Sequence, residues 1–292
     1  MLLLPLLASS AALLPAGARP ELAHLPLHGE IEGCRSCGHR FVASRLSSRP
    51  HVFHLRQFLS PDESSTLIRS ARENGLHPAV TSGNTRARRA CDLSLLSPSR
   101  QPLVAELQRE VARLMLSDEA LQLPGGGCED LHVLRYQPGG EYLPHYDAAS
   151  VPRVLTVLYY LNGVGATWFP LSGANISFST REESVAYVQG LNPQRDGLCF
   201  EPSAAGDALA FFNFVEGGYP DPWALHSGLE VEGTEPKWVA SHFFRVPGVC
   251  SAETSSSMAA RTSQLQQLRA QGDAEAMAEE QEPVSTPTGS HT

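Results

Sequence analysis

In the stretch Tyr142-Leu-Pro-His145-Tyr-Asp147, a histidine and an aspartate are separated by a single residue. Alternate side chains of an extended strand point to the same face, so this spacing aims an imidazole and a carboxylate to one side. Far downstream, His226-Ser-Gly228 offers a second imidazole. Two histidines and one carboxylate form the facial triad that holds a non-haem Fe(II) ion while leaving coordination positions open. A chain that uses His145, Asp147 and His226 together must bring two distant strands side by side.

The neighbouring sequence supports strands at these places. Leu134-Arg-Tyr136 reads as an apolar strand, and Pro138-Gly-Gly140 as a turn that leads into the ligand strand. Arg153 to Asn162 is a β-branched and aromatic run with the character of a buried strand, and Gly206 to Phe214 is another. Ser60-Pro61-Asp-Glu63 is a capping box with proline at the first helical position, and the helix it opens is expected to end at Gly75. A second helix is expected over 102–116, with Leu103, Leu107, Val111 and Leu114 on its apolar face. Two helices followed by many short strands give an α+β chain whose centre is a double-stranded β-helix, the jelly roll, with helices against its outer sheet.

Taken as a set, these motifs resemble the prolyl 4-hydroxylase family of 2-oxoglutarate- and Fe(II)-dependent dioxygenases. The resemblance runs from about Arg49 to Val246. It is carried by Tyr142-x-x-His145-x-Asp147, Arg153-x-x-Thr156-x-Leu158-x-Tyr160, Gly165-Ala-Thr167-Trp-Phe-Pro170, Gly206-Asp207-Ala-Leu-x-Phe-Phe-Asn213, and Leu225-His226-Ser-Gly228 followed by Lys237-Trp238. It implies that His145, Asp147 and His226 bind iron and that Lys237 anchors the distal carboxylate of 2-oxoglutarate. Tyr160 is implied as a hydrogen-bond donor to that carboxylate; Thr156 lies on the same strand face, and Tyr142 and Tyr136 are candidates to line the pocket. The implied activity is hydroxylation of a prolyl residue in a peptide or protein, with 2-oxoglutarate as co-substrate and L-ascorbate keeping the iron reduced. A buried co-substrate carboxylate without a cation would cost several kcal/mol, which argues separately for Lys237. Three other readings use the same residues: a 2-oxoglutarate oxygenase with a different substrate, a jelly-roll binding module without catalysis, and a zinc hydrolase. The last has no use for a carboxylate anchor at Lys237.

The remainder of the chain sets the context. With 22 Lys and Arg against 31 Asp and Glu, the formal charge of -9 argues against general nucleic-acid binding. Residues 1–18 read as a signal peptide, an apolar run from Leu2 to Leu14 followed by Ala16-Gly17-Ala18, too short for a stable membrane span. That reading, six cysteines and the glycosylation acceptor Asn175-Ile-Ser177 point to the endoplasmic reticulum lumen or the secretory pathway. Residues 19–48 read as a segment ahead of the catalytic domain, in which Cys34-Arg-Ser-Cys37 suits a local disulfide or free thiols better than zinc. The domain itself spans 49–248, with residues 171–199 as a loop insertion. Residues 249–292 read as a disordered tail with one possible helix over 258–277. By the resemblance, the Arg86-Ala-Arg88-Arg89 cluster falls where the family has a mobile loop over the peptide groove, but its composition reads as a solvated loop.

Overall fold

The computed structural model describes residues 24–79, 88–116, 127–148, 153–176, 178, 180–215 and 219–245. In chain order its elements are β1 (Glu30–Cys34), β2 (Arg40–Ser48), β3 (His51–Arg56), α1 (Pro61–Asn74), β4 (His77–Pro78), β5 (Arg88–Leu96), α2 (Pro102–Met115), β6 (Gly127–Cys128), β7 (Leu131–His145) and β8 (Arg153–Tyr160). They continue with β9 (Thr167–Phe169), α3 (Arg181–Val188), β10 (Leu198–Phe200), β11 (Ala208–Phe212), β12 (Phe214–Val215), β13 (Tyr219–Pro220), β14 (His226–Gly228) and β15 (Lys237–Arg245). The expected signal peptide and C-terminal tail lie outside the described residues, as does Arg86.

Among the described residues all the pairings are antiparallel, and a 13-stranded sheet runs through ten strands as β1-β2-β3-β11-β8-β15-β7-β14-β9-β10, with β5 added along β7, β4 along β5 and β6 along β15. It curls into a jelly roll because β7 serves both halves. The first part of β7 pairs with β15, Lys237 opposite Tyr136, and the last part pairs with β14, His226 opposite His145. Between these parts lies Pro138-Gly139-Gly140, which is a bend within one continuous strand and not the expected turn. Proline cannot donate to a ladder, so pairing is handed over there. The loop beyond β14 takes up the backbone groups, with Gly139 donating to Val231 and Val231 to Gly140. A Cβ on Gly140 would sit 2.7 Å from the Gln137 carbonyl oxygen and 3.0 Å from that of Ala90, so the bend has no room for a side chain.

Strand alternation then sorts the core. On β8, Leu155, Val157 and Tyr159 face the helices, together with Trp238, Ala240 and Phe244 of β15. Leu158 and Tyr160 point into the barrel. Both faces are covered, which is why β8 and β11 are apolar nearly throughout. Helix α1 has the expected capping box at Ser60 and ends at Gly75, whose φ of 94° suits glycine. Helix α2 presents Val104, Leu107, Val111 and Met115, a face one residue out of phase with the expected one, leaving Leu103 and Leu114 partly exposed. The insertion carries helix α3, capped by the Thr180 hydroxyl, where only loop was expected.

One expectation about the N-terminal region is corrected. β1 and β2 belong to the sheet, since β2 pairs along β3, so this segment does not stand ahead of the domain. Of the two expected states of Cys34 and Cys37 the structure has the free thiols, both exposed, and Arg35 between them does the fixing. Arg35 is buried, its guanidinium donating to the Phe58 carbonyl at 3.1 Å, to both Glu63 oxygens at 2.8 Å and to Glu106 at 2.7 Å. Glu63 is also the capping residue of α1 and Glu106 lies on α2, so one side chain ties the N-terminal hairpin to both helices. Arg35→Ala should destabilise the fold by about 3 kcal/mol, the low end for breaking a buried pair because both glutamates retain some solvent. Serine at Cys34 and Cys37 should change little, and urea unfolding midpoints of the variants would check both expectations.

Candidate active site

His145 closes β7, Asp147 lies just beyond it, and His226 opens β14. Their ligand atoms all lie within 4.8 Å of one another. His145 Nε2 is 3.6 Å from Asp147 Oδ1, and His226 Nε2 is 3.6 Å from Asp147 Oδ2. The Nδ1 atoms are held by backbone carbonyls, Leu143 at 2.9 Å and Ala224 at 3.0 Å. A carbonyl only accepts, so each Nδ1 carries the proton and each Nε2 presents its lone pair to the common centre. Burial, reinforced by the neighbouring His145, pushes the His226 pKa down to about 4, which keeps it neutral and able to ligate. Burial alone would raise the Asp147 pKa, but the His226 and His145 imidazoles beside it, with Arg153, outweigh it and hold the group well below the usual carboxylate range. Two imidazole lone pairs and one carboxylate anion converging on one point suit a divalent transition metal.

The carboxylate is oriented from behind. Thr156 Oγ1 donates to Asp147 Oδ2 at 2.7 Å, and Asn213 Nδ2 donates to Thr156 Oγ1 at 2.9 Å. Thr156, expected beside the co-substrate, is thus engaged with the metal-facing aspartate, and Asn213 acquires a part that the sequence reading did not assign. Tyr146, between the two ligands, points the other way, as strand alternation requires. Its hydroxyl meets Ser184 Oγ of α3 at 3.0 Å and donates to the Pro222 carbonyl at 3.0 Å. Arg181 of the same helix donates to Ala148 O at 2.7 Å and lies over the Tyr146 ring. The insertion therefore clamps the ligand-bearing strand end, and its signal, Thr180-x-x-Glu183, was present in the sequence as a helix cap.

The same pocket holds Lys237, Tyr136, Tyr142 and Thr167. Lys237 is 3 % exposed, and its Nζ donates to the Ala166 carbonyl at 3.0 Å. Among the described residues no carboxylate pairs with it, and burial pushes its pKa down to about 8. Gly165, at φ 87°, is needed for this approach, because a Cβ there would lie 2.5 Å from Lys237 Cδ. Tyr160 is fully buried beside the lysine, its ring centroid 5.3 Å from Nζ, and its hydroxyl donates to Thr167 Oγ1 at 2.7 Å. Tyr142 stacks on His145 with ring centroids 3.5 Å apart. Arg88, expected in a solvated loop, instead lines the pocket with its guanidinium 4.2 Å from the Tyr142 centroid. Side-chain composition alone carried no signal for that placement.

This arrangement has known counterparts. Residues 131–245 match the family model described as the 2OG-Fe(II) oxygenase superfamily. Prolyl 4-hydroxylase 2 of Arabidopsis thaliana is 31% identical over 218 residues, which cover 69% of this chain and 69% of that protein. Prolyl 4-hydroxylase 5 of the same plant is 29% identical over 230 residues, covering 72% of this chain and 74% of its own. Among solved structures, the viral collagen prolyl hydroxylase vCPH from Paramecium Bursaria Chlorella virus-1 aligns at 22% identity with a TM-score of 0.48, covering 67% of this chain and 96% of the viral one. With its triad on paired strands of a jelly roll and these relatives, the chain belongs to the prolyl 4-hydroxylase family of 2-oxoglutarate- and Fe(II)-dependent dioxygenases.

Proposed function

We propose that this protein hydroxylates prolyl residues of a peptide or protein substrate, using Fe(II) at His145, Asp147 and His226 and 2-oxoglutarate at Lys237. The observation that carries this reading is the pairing of a three-ligand metal cluster with a buried, carboxylate-free lysine in one pocket. A metal site that used water alone would have no need for such a cation, whereas a dicarboxylate co-substrate needs one. Iron, 2-oxoglutarate and dioxygen, when bound, would supply the oxidation: one atom of O2 would enter a C–H bond and the other would end in succinate as the co-substrate loses carbon dioxide.

The residues supply place and charge. His145 and His226 turn Nε2 inward, and Thr156 holds the Asp147 carboxylate at a fixed angle. Lys237 neutralises the distal carboxylate, and Tyr160, whose hydroxyl meets Thr167 beside it, completes the polar floor of an otherwise aromatic chamber formed with Phe169 and Phe211. Those rings, with Phe211 4.6 Å from the His226 ring, exclude water from the oxidising centre. L-Ascorbate as a reductant and a location in the secretory pathway belong to the same proposal. The second rests on the apolar residues 2–14 and on Asn175, which is exposed in the insertion.

Mass spectrometry of the protein incubated with Fe(II), 2-oxoglutarate and proline-rich peptides should show a gain of one oxygen on proline, absent in His145→Ala and His226→Ala. Wild-type protein that releases succinate yet modifies no proline would defeat the substrate assignment. Lys237→Ala should raise the half-saturating 2-oxoglutarate concentration by about 10²–10³-fold, following the roughly 3–5 kcal/mol cost of breaking a desolvated pair. Iron binding should be retained, and Lys237→Arg should be milder because the charge remains.

The lysine also sets a pH dependence. Its cationic form predominates below about 8 in the free pocket and is lost above it, while the bound dianion favours the cation. Affinity for 2-oxoglutarate should therefore be flat below that pH and fall by about tenfold per unit well above it. Lys237→Arg should abolish the fall, which calorimetric titrations across pH would register. For the compartment, protein recovered from eukaryotic cells should shift in mobility after glycan removal, and Asn175→Gln should remove the shift; unshifted wild-type protein would sink that part.

A further inference from the structure

Arg88 is the first residue of β5, opposite Tyr142 of β7. One face of the Tyr142 ring lies against His145, so the guanidinium that sits 4.2 Å from its centroid must occupy the other face. His145, Tyr142 and Arg88 are thus layered outward from the metal centre. Arg88 Nε is shielded from solvent and has no hydrogen-bond partner. Its neighbour Arg89 differs, being paired with Glu141 and, at 4.0 Å, with Glu230. Among the described residues no carboxylate lies within ion-pairing distance of Arg88.

The charge inventory of the pocket makes this cation conspicuous. Asp147 is the one acid among the described lining residues, facing Arg88 and Lys237. In the loaded enzyme, the two positive charges of Fe(II) and that of Lys237 are matched by Asp147 and the two carboxylates of 2-oxoglutarate. Arg88 is left over. Contact with the Tyr142 ring restrains the guanidinium, and a planar fork held in place is suited to a carboxylate. We propose that Arg88 is a specificity-determining residue that receives a carboxylate of the peptide substrate, so that prolines flanked by Asp or Glu are preferred. This rests on prolyl hydroxylation as the reaction.

The test uses full-length protein loaded with Fe(II) and 2-oxoglutarate and kept free of oxygen, titrated with matched proline peptides carrying Glu, Gln or Lys at each position flanking the proline. At one position the Glu peptide should bind about tenfold or more tightly than the Gln peptide, the scale of one charge-assisted hydrogen bond, and the Lys peptide should bind least. Arg88→Gln should erase the Glu preference and Arg88→Lys should keep part of it, with affinity for 2-oxoglutarate unchanged in both. Equal binding of Glu and Gln peptides everywhere, or a preference that survives Arg88→Gln, would overturn the proposal. Weakened 2-oxoglutarate binding in Arg88→Gln would also overturn it, assigning the cation to the co-substrate. Admitting oxygen separates the two layers of the argument: proline hydroxylated without regard to neighbouring charge counts against Arg88 alone, and no hydroxylation of any peptide counts against the reaction beneath it.

Discussion

A β-strand has two edges, and β7 must satisfy three partners. It lies along β5 on one side, while on the other it leaves β15 for β14 at the Pro138-Gly139-Gly140 bend. Every functional group is placed relative to that bend. Before it, Tyr136 stands opposite Lys237; after it, Tyr142 stands opposite Gly228 and His145 opposite His226. A slip of one residue in either part would turn a whole set of side chains to the wrong face. Gly140 holds the register because the approach of Gln137 and Ala90 leaves no space for any larger residue. The distance between the lysine and the metal-facing triad is thus built into the backbone of one strand.

Buried charge is handled in two different ways in this molecule. Arg35 and Asp207 are surrounded by partners: Asp207 accepts from the Gln57 and Ser203 backbone amides and from the Ser203 hydroxyl, with His54 at 3.2 Å. These groups are matched by carboxylates or by several hydrogen bonds and serve the fold, fastening the N-terminal hairpin, α1 and the β10–β11 turn. Lys237 and Arg88 are left short of acceptors, the first with a single carbonyl and the second with an aromatic face. Cations kept partly unsatisfied beside a cluster of ligands are costly in isolation, and they become favourable when anions arrive.

Much of this was legible in the amino-acid sequence because the responsible signals are local. The Ser60 to Glu63 capping box defined α1, and the one-residue spacing of His145 and Asp147 defined which side chains share a face. Signals that depend on non-local packing were harder to read. Pro138-Gly139-Gly140 has the composition of a turn, and only the presence of β14 as a second partner makes it a bend within a strand. Periodicity alone leaves the face of α2 uncertain by a residue, and the sheet beneath selects Val104 and Met115 over Leu103 and Leu114. Arg88 sits in a basic cluster whose composition suggests solvent, and it becomes a pocket residue because β5 pairs with the strand that carries Tyr142. The third helix was missed although Thr180 and Glu183 advertise its start, since its eight residues carry too weak an apolar periodicity to stand out.

Helix α3 belongs to the part of the chain that departs most from simpler jelly rolls, and its two sides have unlike freedoms. Tyr187 is turned to solvent and meets the Phe178 ring within the insertion. Ser184 and Arg181 grip Tyr146 and Ala148, the residues interleaved with the metal-facing pair. Remodelling the outer surface of this insertion to suit a new partner therefore leaves the centre alone, whereas exchanging the whole segment also removes a brace of the iron-binding strand. Grafting experiments between relatives will have to carry the inner side of the helix along with Tyr146 as a single unit.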